Sequence, residues 1–142
     1  MPKTGFDATG RALAQIAWHF GPKEPLGACC EDLTMPEFLA LDKISVTPDC
    51  PVHEIGIVLG FSKSGATRVV NRLEKKDYIR RVRSSEDGRV CCVKITDRGA
   101  AALLSAKENY QKRFEKIVKK LPHDTARQII NSISLLAAAL EK

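Results

Sequence analysis

The sequence predicts a mainly α-helical protein with one small β-hairpin, and three observations carry that prediction. Apolar residues recur at helical spacing in six segments separated by glycine, proline or a capping hydroxyl. One stretch, residues 78–95, switches to an extended pattern on either side of Asp87-Gly88. Basic charge is concentrated from Ser62 to Arg89, where nine Lys and Arg face four Asp and Glu, whereas residues 1–61 carry four basic and eight acidic side chains.

The first helix is expected over Phe6–Phe20, with Leu13, Ile16, Ala17 and Phe20 on one face and Gly21-Pro22 as its stop. Residues 21–33, with two prolines, two glycines and a Cys-Cys pair, read as a connection. Thr34 is the N-cap of the second helix, Pro36 and Glu37 fill its first turn, and Phe38, Leu39 and Leu41 continue its apolar residues to Ile44. A break over Thr47–Pro51 precedes a short helix, Val52–Leu59, whose buried face is expected to be Val52, Ile55, Val58 and Leu59. Gly60 allows a tight turn, and Ser62 caps the next helix, Lys63–Lys76.

That helix has two chemistries. Ala66, Val69, Val70 and Leu73 form a core stripe, while Ser64, Arg68, Asn71 and Lys75 point the opposite way, with Thr67 and Arg72 on the flanks. Arg pairs bidentately with guanine and Asn with adenine, and Ser or Thr suits bases or phosphates. The hairpin follows, Tyr78–Arg83 leading through Asp87-Gly88 to Arg89–Ile95. On its return strand Cys91, Val93 and Ile95 share the apolar face, and Val90, Cys92 and Lys94 the other. Two short helices joined by a glycine turn, with a hairpin directly behind, make a winged helix-turn-helix. Arg89 at the wing tip suits the negative potential of a minor groove. The two last helices, Asp97–Lys120 and about His123–Leu140, are separated by Pro122. They carry Leu103, Tyr110, Phe114, Ile117, Val118 and Leu121, then Ile129, Ile130, Ile133, Leu136 and Leu140. These apolar faces exceed what a small winged lobe needs internally, which points to dimerisation.

A chain of 142 residues, 44% hydrophobic and 28% charged, suits one domain with an ordinary core. Its net charge of +6 favours an acidic partner without choosing among nucleic acid, membrane surface and protein. No apolar run approaches bilayer-spanning length and the first residues lack the apolar core of a secretory signal, so the cytoplasm is the expected location. There is no P-loop, G-x-G-x-x-G, G-x-S-x-G or H-E-x-x-H, so no enzyme activity and no cofactor are expected.

Leu33-Thr34 with Phe38-Leu39, Gly60-Phe61-Ser62-Lys63-Ser64, Arg68, Arg72-Leu73-Glu74-Lys75-Lys76, Arg81, Asp87-Gly88-Arg89 and Ile95-Thr96-Asp97-Arg98-Gly99 occur here in order. In these motifs, over roughly residues 33–104, the chain resembles MarR-family winged-helix transcriptional regulators. The resemblance implies one domain over 1–142, with a winged lobe at about 34–96 and dimerisation helices at about 6–20 and 97–141. It further implies a homodimer on a pseudo-palindromic operator in double-stranded DNA, most often a repressor released by a small molecule, oxidant or metal. By resemblance, Arg68 and its neighbours take the recognition role, Arg89 reaches the minor groove and Asp87 holds the wing. The expected DNA-contacting set is Ser62, Lys63, Ser64, Thr67, Arg68, Asn71, Arg72, Lys75, Arg81, Arg83, Asp87 and Arg89. Three positions depart from the family pattern. Asp77 replaces the usual glycine after the recognition helix, where a left-handed conformation is harder for Asp. Gly65-Ala66 replaces Thr and a β-branched residue, and Pro51 stands where a capping hydroxyl is common.

Five cysteines, two pairs of them adjacent, make a poor disulfide framework. Cys50, before Pro51 at a helix N-terminus, is expected to have a lowered pKa, and with Cys29 and Cys30 forms the candidate thiol sensor. Cys91, on the apolar face of its strand, is expected to be structural. Cys50 and His53 form a C-x-x-H fragment with no second pair at zinc-finger spacing, so no metal site is expected. Trp18, Phe20, Phe38 and Tyr110 are candidates for an effector pocket, weighed against core packing. The rival reading from another class is a winged-helix protein-interaction module without specific DNA binding.

Overall fold

Among the described residues, eleven elements run α1 (Lys3–Phe20), β1 (Ala28–Cys30), β2 (Leu33–Thr34), α2 (Met35–Val46), β3 (Cys50–Pro51), α3 (Val52–Leu59), α4 (Lys63–Lys75), β4 (Ile79–Arg83), β5 (Cys91–Ile95), α5 (Asp97–Val118) and α6 (His123–Leu140). The computed structural model describes the backbone of residues 3–21, 28–30 and 32–141, and the side chains of 8–21 and 32–141. The chain divides into two compact units between Ala106 and Lys107. Among the described residues, no helix is long and apolar enough to cross a membrane.

In the first unit, α2, α3 and α4 pack on one another and on a three-stranded antiparallel sheet of order β3-β5-β4. The core is Leu33, Ala40, Leu41, Ile44, Ile55, Ala66, Val69, Val70, Leu73, Ile79 and Val93, with Leu103 and Ala106 from α5 also buried. Thr34 caps α2 by accepting from the Glu37 amide at 3.3 Å, and the Glu37 carboxylate accepts from the Thr34 amide in return, closing a capping box. Leu39 faces solvent instead of the core, because the stripe of α2 runs through Glu37, Ala40, Leu41 and Ile44. On α3, Ile55 and Gly56 are buried while Val58 is exposed. Gly56 brings the helices together, since a Cβ there would sit 3.4 Å from the Ala66 Cβ.

The turn between α3 and α4 closes at Gly60, whose φ of 64° lies in the left-handed region. Asp77 adopts φ 63° after α4, taking the conformation that glycine usually supplies. Thr96 secures this corner, its amide donating to the Tyr78 carbonyl and its hydroxyl to the Asp77 carbonyl.

The strands depart from the expected single hairpin in three ways. Cys50-Pro51 is a strand, pairing with Val93 and Cys92 on the outer edge of β5, and α3 begins from Pro51 with no side-chain cap. The connection 21–33 contains β1, which pairs antiparallel with β2. Cys91 is exposed and Cys92 buried, the reverse of what strand alternation predicts. Burial on β5 does not alternate: the adjacent Cys92 and Val93 are both buried, and Cys91 stands at the strand's first position, with Arg83 as its only strand partner among the described residues.

In the second unit, residues 107–142, Val118, Leu121, Ala126 and Ile130 line a cleft between the end of α5 and the start of α6. No residue of α6 is buried. Ile130, Ile133, Leu135, Leu136 and Leu140 are all exposed.

Candidate nucleic-acid interface

Helix α4 is a two-sided object. Its Ala66, Val69, Val70 and Leu73 are buried, which fixes the opposite face outward. Ser62 begins the helix by accepting from the Gly65 amide at 3.2 Å, and its hydroxyl lies 3.2 Å from that of Ser64. Ser64, Arg68, Asn71 and Lys75 are exposed. Thr67 is half-buried and donates to the Lys63 carbonyl of its own helix at 2.9 Å.

Some basic side chains of the region are already paired within the chain. Lys63, Arg68, Lys75, Arg80, Arg83 and Arg89 make no ion pair among the described residues. Three others do. The Arg72 Nε lies 3.2 Å from the Glu37 carboxylate and the Lys76 Nζ lies 2.6 Å from it, with Glu37 only 1% exposed. Arg81 bridges the wing to α4: its Nε lies 3.4 Å from Glu74, its Nη2 donates to the Asn71 side-chain oxygen, and its Nη1 donates to the Cys91 sulfur at 3.5 Å. The bond to Cys91 is the main influence raising the Arg81 pKa above its ordinary value. Sequence reasoning places Arg72 and Arg81 among the DNA contacts. It misses Glu37 and Glu74 as their partners, because ion pairs between elements leave no local pattern. One trace exists: Arg72 and Lys76 stand four apart, on one side of a helix.

The wing loop, Ser84–Val90, holds its own shape. The Ser84 hydroxyl accepts from the Glu86 and Asp87 amides, both at 3.2 Å, the Asp87 carboxylate accepts from the Arg89 amide at 3.0 Å, and the Val90 amide donates to the Asp87 carbonyl. Asp87 therefore holds the backbone from which Arg89 projects. Asp87-Gly88 lies inside this seven-residue loop instead of forming a two-residue hairpin turn, and Gly88 has no positive φ. Between α3, the front of α4 and the wing root lies an open cleft of about 720 Å³, with Ile57, Phe61 and Val90 as apolar walls and Lys63, Arg81 and Arg89 contributing charge.

Solved structures of other proteins share this fold. Streptococcus pneumoniae FabT, crystallised in complex with DNA, superposes with a TM-score of 0.76 at 24% identity, covering 96% of this chain and 97% of that one. The transcriptional regulator Tm0710 of Thermotoga maritima aligns at 26% identity, with a TM-score of 0.63 and coverage of 98% and 96%. In sequence, the Bacillus subtilis HTH-type transcriptional regulator YfiV is 26% identical over 110 residues, 78% of this chain and 69% of that protein. The MarR family model matches residues 33–91, from the start of β2 to the first residue of β5. This stretch is a MarR-family domain. It is a DNA-binding regulator of transcription and not an enzyme.

The cysteines of this chain divide by burial. Cys50 is fully buried and its thiol is pushed up to about 11, by burial first and the nearby Glu54 second. Its position before a helix does not lower its pKa, because loss of water outweighs whatever the α3 dipole supplies. Cys92 is also buried and its pKa is raised, again chiefly by burial. Cys91 is the exposed thiol among the three. The side chains of Cys29 and Cys30 lie outside the described residues. Of the pocket candidates, Trp18 is 70% exposed, while Phe20 and Phe38 are half-buried. Tyr110 belongs to the second unit, where the Arg113 guanidinium lies 5.6 Å from its ring centroid.

Proposed function

We propose that this chain is a cytoplasmic, homodimeric repressor that binds a pseudo-palindromic operator and leaves it in response to a small molecule, an oxidant or a metal. One observation carries the sequence-specific part of this reading: Arg68 and Asn71 stand exposed on the outer face of a capped helix whose inner face is buried. Ser62, Lys63, Ser64, Thr67 and Lys75 surround them, and Arg83 and Arg89 extend the cationic surface along the wing. Arg and Asn are the side chains that read guanine and adenine, and the surrounding cations supply phosphate affinity. The dimer is supported by α6, which exposes five large aliphatic side chains, and by α1, which exposes Leu13, Ile16 and Trp18. FabT, crystallised with DNA, supports the choice of partner.

The test is retention of fragmented genomic DNA by the purified, reduced chain at about 150 mM salt, followed by sequencing. Recovery of a few sites, each with a two-fold repeat about one helical turn apart, is the expected result. Oxidant or metal added to the same complex then tests release. Recovery at random would overturn the sequence-specific reading.

A further inference from the structure

Glu37 is the buried charged side chain of the core, 1% exposed, and it belongs to α2 instead of the helix that faces DNA. Its two oxygens take the Arg72 Nε at 3.2 Å, the Lys76 Nζ at 2.6 Å and the Thr34 amide at 3.3 Å. Lys76 also donates to the Asp32 carbonyl, and the Tyr78 hydroxyl donates to the Asp32 carboxylate at 2.7 Å, so the cluster ties the C-terminal end of α4 to the start of α2. At roughly 100° per residue, Arg72 lies only about 40° around the helix from Arg68, and Lys76 about 80°. On helical geometry alone, Arg72 sits beside the outward face. Glu37 engages its Nε there, with the Arg72 side chain still 53% exposed.

We propose that Glu37 is a positioning residue for DNA recognition: it withdraws Arg72 and Lys76 from phosphate binding and fixes the rotation of α4 that presents Arg68. The proposal rests on the reading of α4 as the DNA-facing helix. Phosphate contacts made without regard to sequence strengthen binding to all DNA equally, so removing two cations from that pool favours discrimination over bulk affinity. A buried carboxylate with two cations holds its geometry because each group would be left costly and unpaired without the others.

The experiment measures binding of the full chain to a short random-sequence duplex from about 50 to 200 mM salt, where the slope of log K against log salt counts phosphate contacts at about 0.9 each. Arg72→Gln and Lys76→Gln should leave the slope unchanged, whereas Arg68→Gln should reduce its magnitude by about 0.9 per copy bound. Glu37→Gln retains an acceptor for the Thr34 amide but releases both cations, and should steepen the slope. A purely structural role would not steepen it. A shallower slope in Arg72→Gln or Lys76→Gln, or an unchanged slope in folded Glu37→Gln, would overturn the proposal. Should Glu37→Gln not fold, the Arg72→Gln and Lys76→Gln variants decide alone. Absence of salt-dependent binding by the unaltered chain would overturn the reading of α4 itself, and this proposal with it.

Discussion

A thiol removed from water resists losing its proton, and Cys50 is such a thiol, with a native pKa of about 11 against an ordinary 9.0. Because the native value is the higher one, the protonated thiol favours the folded chain. That contribution is complete below pH 9.0 and is lost as the pH climbs through about 11. The stability gap between the unaltered chain and Cys50→Ala, read from urea midpoints, should therefore narrow across that window; a constant gap would contradict the assignment. At mildly alkaline pH a thiol reagent should label Cys91 before Cys50 or Cys92, as mass mapping of a brief reaction would reveal. Glycines give a second contrast. A Cβ on Gly99 would lie 2.0 Å from the Tyr78 carbonyl oxygen, so α5 could not start against the sheet without a backbone shift. Gly99→Ala should cost on the order of 1–3 kcal/mol or more. At Gly88 a methyl group would meet nothing within 4 Å and the φ is not left-handed, so this position should accept Ala within about 0.5 kcal/mol.

Elements differ in how much of their shape they own. The wing loop takes its form from Ser84 and Asp87 bonding to amides within the same loop, so Ser84→Ala should speed amide exchange at Glu86 and Asp87 while moving global stability by less than about 0.5 kcal/mol. Protection unchanged at those amides would show that the loop is held from elsewhere. Ownership also explains what the sequence makes legible. Helices α3, α4 and α6 are bounded where Gly60, Ser62 and Pro122 predict, because caps and breakers act within a turn of the chain. Strands β1, β2 and β3 have two or three residues each, too few for any alternation, and β3 exists through a partner distant in sequence, β5. The outward face of α4 is readable from its period. The clamps on Arg72 and Arg81 are not, since Glu37 lies on another helix and Cys91 on the far strand of the hairpin.

At the scale of the whole molecule, α6 stands apart because it buries none of its 18 residues against its own chain. Helices in proteins owe most of their stability to packing of an amphipathic face. If a second copy provides that packing, ellipticity at 222 nm should fall as the chain is diluted, alongside the sedimentation coefficient. Helicity independent of concentration, in a monomer, would count against the dimer. The same exposed helix links abundance to survival. If the chain pairs through α6, a scarce chain would by mass action spend more of its time unpaired, with α6 open to proteases, so a cell that makes little of this regulator would also clear it faster.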